Sequence, residues 1–432
     1  MNAVAKSPTG RAPLLSLDHA LADLLGRVEA LTTPETVATF DADGRVLAQD
    51  LVSALQVPPH DNSSMDGYAL RAADVTEPGQ VLRVSQRIAA GHAGTALEPG
   101  TCARIFTGAP LPAGADTVVM QEDTVEVGGD IHAVHVQSVP EVGQWVRRAG
   151  EDVTHGAVVL RRGERLSPAS LGLAASLGLS HLSVLARPRV ALFSTGDELV
   201  MPGEVPPEAM KPGAIYNSNR FFLRALLRRM GCEVSDLGIV PDRREATLAA
   251  LKTAADHHDL ILTSGGVSVG EEDHIKPSVQ QLGSLDLWQI GMKPGKPFAY
   301  GTVRRDAGAG AAAAQACHFI GLPGNPVSSF VTFLLLVRPF LLKLQGVPAN
   351  RIQPLPPATT LPAHFTVARA DKRREFLRVR RNAAGGLDLF PNQSSGVLTS
   401  AVWGDGLVDN PAGTTIAHGD PVSYISFADL LA

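Results

Sequence analysis

Apolar positions change their spacing several times along the chain. After Ser16, leucines at 17, 21, 24 and 25 recur at helical intervals, so a helix over about Leu17–Leu25 is expected, capped by Ser16. From Gly44 to His155 the texture turns to short β-type runs between turn residues, as at Arg45–Leu51, Val81–Ile88, Thr117–Met120 and Ile131–Val136. That is the pattern of an all-β module. Ser167-Pro168 then opens a small helix that ends near Gly178.

Beyond Arg187 the rhythm is different. Val190–Ser194 reads as a strand, Ser218–Met230 as an amphipathic helix stopped by Gly231, and Val234–Val240 as a strand. Arg244–Ala255 reads as a helix and Leu260–Thr263 as a buried strand. Strands and helices alternating at this spacing predict a doubly wound parallel sheet, whose ligands sit beyond the carboxyl ends of the strands. Arg304–Ala316 is expected to be a loop inserted before the strand His318–Gly321. The longest apolar run, Phe330–Val337, is broken by Arg338-Pro339 and is too short for a bilayer, so it reads as a buried helix. Prolines across Val347–Pro362 mark a linker, and the last 70 or so residues alternate like strands of a small β-domain.

Size and charge narrow the class. A chain of 432 residues exceeds one ordinary domain, and its formal charge of −5 argues against a dedicated nucleic-acid surface. Cys102, Cys232 and Cys317 lie far apart without a Cys-x-x-Cys, which fits a reducing cytoplasm. Residues 1–13 are polar and carry no apolar leader, so a soluble protein without a membrane span is expected. His-x-x-x-His does not occur, so zinc-protease chemistry has no support.

The strand exits carry the chemistry. Leu260–Thr263 runs into Ser264-Gly265-Gly266, with Gly270 four residues on and Glu271, Glu272 and Asp273 after it. Glycines there let N–H groups face a phosphate, and carboxylates beside a phosphate need a cation between them. The same acids would also suit a plain helix N-terminus. Glu198 and Asp242 lie at two other exits of the sheet and favour the metal–phosphate reading. Gly291-Met292-Lys293-Pro294-Gly295-Lys296-Pro297 is one residue short of a phosphate-binding loop and has proline for the hydroxyl residue. It is either an anion-binding turn or a proline-stiffened turn with solvated lysines. Pro323-Gly324-Asn325-Pro326-Val327-Ser328 opens a helix to about Leu344 with Asn325 as N-cap, leaving the N–H groups of Val327 and Ser328 as an anion pocket or as an ordinary cap. Asp66-Gly67 and Thr107-Gly108 read first as hairpin turns, and the seven basic residues of Arg369–Arg381 as a solvated strand face.

Together these segments resemble the molybdopterin molybdenumtransferase (MoeA) family, which includes the E domain of gephyrin. The matching stretches are Ser64-Met65-Asp66-Gly67-Tyr68-Ala69, Thr107-Gly108-Ala109-Pro110, Gly150-Glu151-Asp152, Ser194-Thr195-Gly196-Asp197-Glu198-Leu199, Ser264-Gly265-Gly266-Val267-Ser268-Val269-Gly270, Lys293 to Pro297 and Leu322 to Ser328, in the family's order across nearly the whole chain. The resemblance implies four domains: a helical linking domain from residues 1–33 and 157–187, a β-rich domain over 34–156, an α/β molybdopterin-nucleotide-binding domain over 188–350, and a C-terminal β-barrel domain over 351–432. It implies a homodimer with a shared active site. Transient contact with the molybdopterin adenylyltransferase and with cofactor-receiving enzymes is also implied.

The implied reaction is Mg²⁺-assisted insertion of molybdate into adenylated molybdopterin, with release of AMP. Carried over by motif, Glu198 and Asp273 would hold the metal. Ser264, Gly265, Gly266, Ser268 and Gly270 would line the nucleotide, and Lys293, Lys296 and Ser328 would attract molybdate. Pro323, Asn325 and Pro326 shape the same pocket, and Asp66, Thr107 and Asp242 match positions linked to activity. In the last domain the family's Gly-Arg-x-Glu-Phe appears as Lys372-Arg373-Arg374-Glu375-Phe376, so Arg373 keeps its place without the glycine; Ser395 and Ser400 are further candidates there. A scaffold that keeps the fold, or another nucleotide-dependent transferase, are the competing functions. AMP release that depends on molybdate and Mg²⁺ separates them from the first.

Overall fold

Burial alternates along Gln80–Ile88, with Leu82, Val84, Gln86 and Ile88 on the more buried side, and this nine-residue strand is the spine of a six-stranded sheet. The computed structural model describes residues 14–127, 130–266, 274–306 and 316–431. The order across that first sheet is Thr117–Met120, Gly67–Leu70, Thr101–Ile105, Gln80–Ile88, Asp130–Val136, Thr124–Val127. Leu70, Leu82, Cys102 and Val134 fill one face, and Ala69, Ile88, Ala103 and Ile105 the other. The strand expected over Arg45–Leu51 does not form. Val46 and Leu47 make only single bridges, to Arg165 and Val184, and Leu51–Val52 alone pairs as a strand. These two neighbours are buried in different cores, so the segment cannot lie flat against one sheet.

Ser16 caps the helix Leu17–Gly26 by accepting the His19 N–H, and Ser167 and Ser170 cap Pro168–Ser176 reciprocally. Pro34–Ala38 pairs with His181–Leu185, and residues 37–51 share one core with residues 153–184.

The α/β sheet runs Glu233–Val240, Arg189–Thr195, Leu260–Ser264, Cys317–Leu322, Pro297–Val303, Gly283–Gln289. Its first four strands are parallel, as expected, and the last two are antiparallel. The sheet is therefore mixed. Only residues 290–296 join Gly283–Gln289 to Pro297–Val303, too few for a crossover between parallel strands, so the pair closes as an antiparallel unit. Ser218–Arg229 and the long helix from Pro326 pack on one face, through Leu223, Leu227, Val327 and Val331. Arg244–His257 and Ile275–Leu282 cover the other, through Leu251, Ala254 and Val279.

The helix from Pro326 runs on past Arg338-Pro339, as expected. It continues to Leu344, with a wider π turn over Phe333–Val337 between two α segments. A proline crowds the carbonyl four residues before it and offers no N–H, and one wide turn relieves both defects. This helix is long and apolar enough to span a bilayer, yet 89% of its most apolar window is buried within the protein, as a core helix should be. The last unit holds Arg374–Arg381, Gly406–Asn410, Pro421–Ser426 and Thr359–Pro362 in that order, with Leu387–Leu389 on the free side of the first. Ala363 bridges Leu387, so the sheet curls back on its own start as a small barrel. Met292–Lys293 joins this sheet in parallel with Arg374-Glu375, stitching the lysine turn to the terminal unit.

Candidate functional site

Pairing of Ser194 with Ser264, Thr195 with Val240 and Ser264 with Leu322 brings four parallel strands to one edge together. Glu198, Asp242, Gly265 and Pro323 follow those ends, as the sequence pattern implied. A cleft of about 570 Å³ opens there, lined by Glu198, Asn219, Ser264, Gly265, Asn325 and Pro326 among others. Asp242 is at the same edge but does not line it. Gly196 has φ +142°, and a side chain there would collide with the Glu198 carboxylate, so glycine is what lets Glu198 fold back. Glu198 itself is exposed, and no hydrogen bond or ion pair of its carboxylate occurs among the described residues. Ser268, Gly270 and Asp273 lie outside the described residues.

Ser264 lines the cleft, but its hydroxyl is tied into the protein. It is buried, accepts a hydrogen bond from Asn219 Nδ2 at 2.7 Å and donates to the Pro323 carbonyl at 3.4 Å. Its one proton is used inside the protein, so the serine shapes the loop while Gly265 presents the backbone surface. Asn219 had no part in the expected site. Its Nδ2 also donates to Gly324 O at 2.7 Å, which ties the Ser264-Gly265 loop to the Pro323–Pro326 loop. Because a carbonyl only accepts, the orientation of this amide is settled, and Oδ1 is left buried without a partner. The visible signal was Asn217-Ser218-Asn219: Asn217 caps the helix through the Arg220 N–H, and a second asparagine in the first turn is not needed for capping.

The helix start at Pro326 also departs from expectation. Asn325 lines the cleft but its side chain makes no cap, and the Val327 N–H donates to Ser395 O at 2.9 Å. The anion pocket expected from the N–H groups of Val327 and Ser328 is thus half occupied by protein; Ser328 is buried. Ser395 acts here through its backbone, and its neighbour Gly396 lines the cleft. Ser400 cannot touch a ligand there. It is fully buried, its Oγ accepting from Arg378 Nε at 3.1 Å and donating to Val397 O at 2.7 Å. Among the described residues Arg378 forms no ion pair, and burial pushes its guanidinium down to about 10.

The lysine turn sits on the same helix. Gly295 has φ +101°, and a Cβ there would collide with Thr332 Oγ1. Lys293 Nζ lies 2.9 Å from Glu375 Oε1 and 3.4 Å from Asp371 Oδ2, whereas Lys296 forms no ion pair among the described residues. Arg373 turns back on Asp371, with Nε and Nη2 at 3.0 and 2.9 Å. Those bonds, with Lys293 nearby, hold the Asp371 carboxyl far below the usual carboxylate range. Without the family's glycine, Arg373 aims at Asp371. Asp66 and Thr107 pair with one another: Asp66 Oδ1 accepts the Thr107 N–H and hydroxyl, both at 2.8 Å, which lowers the Asp66 carboxyl. Among the described residues no hydrogen bond or ion pair joins this exposed pair to the cleft.

Family models cover the chain in three consecutive pieces: the MoeA N-terminal region (domain I and II) over residues 15–178, a probable molybdopterin binding domain over 191–343, and the MoeA C-terminal region (domain IV) over 360–427. A molybdopterin molybdenumtransferase of Haemophilus influenzae is 39% identical over 84% of this chain and 85% of its own length. The chain belongs to the molybdopterin molybdenumtransferase family. Molybdopterin molybdenumtransferase 2 of Mycobacterium tuberculosis is 37% identical over 90% of this chain and 87% of its own. The solved molybdopterin biosynthesis MoeA protein of Pyrococcus horikoshii superposes with a TM-score of 0.79 at 26% identity, over 96% of this chain and all of the other (100%). As a MoeA-family chain it carries the multidomain α/β plus β architecture expected from its sequence.

Proposed function

We propose that this chain is a transferase that inserts molybdate into adenylated molybdopterin, cleaving the adenylate and releasing AMP, the final step of molybdenum cofactor biosynthesis. One observation carries the reading. A carboxylate with no partner among the described residues, Glu198, shares a cleft with the Gly265 loop, and the lysine turn packs on the helix that begins at the cleft. Phosphate and molybdate are both anionic and must be screened before they can meet.

Mg²⁺ suits these residues. It takes one or two carboxylates, substrate phosphate oxygens and water rather than a full protein cage. Glu198 offers one such oxygen donor, and we assign Asp273 as the second; among the described residues no cluster of three ligating side chains forms. When bound, the ion would neutralise the phosphates and stabilise charge on the departing AMP. The protein does the rest. Backbone at Gly265 and Gly266 approaches the nucleotide phosphates, Asn219 fixes the spacing of the two loops, and Lys296 draws in the oxyanion. Gly270 and Ser268 extend the nucleotide surface, while Arg373, Ser328 and the Ser395-Gly396 backbone form the oxyanion rim. Asp242 supports the acidic edge.

In this reading the chain works as a homodimer in the cytoplasm, and Asp66 and Thr107 complete the cleft of the other protomer. It takes its substrate from the adenylyltransferase and hands its product to the apoenzymes that use it. The test is AMP release from adenylated molybdopterin. Release is expected only when molybdate and Mg²⁺ are both present, and Asp273→Ala is expected to abolish it. Full turnover without molybdate would end the proposal, and full turnover of Asp273→Ala would remove that residue from the metal site.

A further inference from the structure

The two lysines of the turn are electrostatically unequal, and the inequality comes from another part of the chain. Lys293 Nζ sits between Glu375 at 2.9 Å and Asp371 at 3.4 Å, both carried by the terminal unit. Glu375 is buried, and its second oxygen faces Asn410 Nδ2 at 3.5 Å. Asp371 is shared with Arg373. This cluster therefore holds two cations and two carboxylates and is neutral as a unit. Lys296, three residues on, has no carboxylate within ion-pair distance among the described residues. Strand pairing of Met292-Lys293 with Arg374-Glu375 holds the register of the first lysine, while Gly295, wedged against Thr332, holds the turn between the two.

We infer that Glu375 is a positioning residue for the proposed reaction: it pins Lys293 and cancels its charge, leaving Lys296 as the cation that captures the oxyanion. The inference rests on the oxyanion-transfer reading above and adds a division of labour to it. A buried carboxylate left without its cation would be costly, so Lys293 does not leave Glu375 to meet an incoming dianion. Lys296 has no such tie and meets molybdate with its full charge.

The experiment separates binding from turnover in the full chain. Molybdate alone is titrated calorimetrically into the wild type, Lys296→Ala, Lys293→Ala, Glu375→Gln and the paired Lys293→Gln/Glu375→Gln, and AMP release is then followed at varied molybdate. Lys296→Ala is expected to weaken molybdate binding about tenfold or more, as loss of a charge-assisted contact should. Lys293→Ala is expected to leave binding within about threefold and to lower turnover instead. Glu375→Gln frees a cation, so molybdate should bind more tightly while turnover falls. The paired variant strands no buried charge and tests the point even if a single variant fails to fold: it should bind molybdate like the wild type. Loss of molybdate binding in that pair, or equal losses in Lys293→Ala and Lys296→Ala, would overturn the assignment. So would a folded Glu375→Gln with unchanged binding and turnover. The binding arm reads the lysines alone, whereas absence of AMP release from the wild type counts against the reaction.

Discussion

Arg373 gives Asp371 two side-chain hydrogen bonds and one from its own backbone N–H, so the folded protein holds this carboxylate ionised far more firmly than the unfolded chain does. A depressed carboxyl contributes stability above its unfolded value, near pH 4, and loses that contribution as pH falls toward its folded value. Urea midpoints measured downward from pH 6 should therefore drop steeply below about pH 4 in the wild type, and less steeply in Asp371→Asn, which starts lower. Parallel curves for the two proteins would contradict the linkage. Asn219 supports a different forecast. Asn219→Ala breaks bonds to Ser264 and Gly324 but also removes the orphaned Oδ1, so the stability change should be small, about 1 kcal/mol. Its effect on AMP release should be larger, about tenfold or more, because the two loops of the cleft lose their common tie. Unchanged turnover would make Asn219 a packing residue only.

At the level of elements, the turn between the lysines depends on glycine. Gly295→Ala must adopt a left-handed φ with a Cβ against Thr332 Oγ1, at a cost of about 1–3 kcal/mol. Thermal melts should show the loss, and Thr332→Ala should restore part of it by removing the clash but not the strain. Elements of this kind divide sharply in how well sequence reveals them. Val190–Ser194, Ser218–Met230 and Leu260–Thr263 were legible because each announces its type within its own stretch: two continuous buried apolar runs and one helical stripe. Arg45–Leu51 misled because its β-branched and apolar residues go to two cores, a fact held by distant partners at Arg165 and Val184. The helix from Pro326 to Leu344 was legible too, but the π turn that carries it past Pro339 was not. The site divides the same way. Glycine loops and acids at strand exits were visible, but the pairing of Lys293 with Glu375 spans 82 residues and follows from a two-residue strand that no periodicity announces.

The whole molecule poses the remaining question: what Asp66 and Thr107 are for. They are exposed, they hold one another, and among the described residues nothing bonds them to the cleft. The Asp66 carboxylate accepts both Thr107 donors on one oxygen, which fixes it in ionised form at the surface of the N-terminal sheet. If the active site is shared in a twofold dimer, Asp66 of one protomer and Lys296 of the other belong to the same centre. Two variants, Asp66→Ala and Lys296→Ala, would then each be inactive as homodimers. Co-expressed and allowed to assemble at random, they would form mixed dimers in which one centre carries both lesions and the other carries none. Half the dimers would be mixed and each would have one intact centre, so activity should recover to about a quarter of the wild type. A centre built from a single chain behaves otherwise: every site in the mixture carries one lesion, and no activity returns. Light scattering on the same samples checks that dimers form, and the AMP-release rate of the mixture then tells a shared centre from a private one.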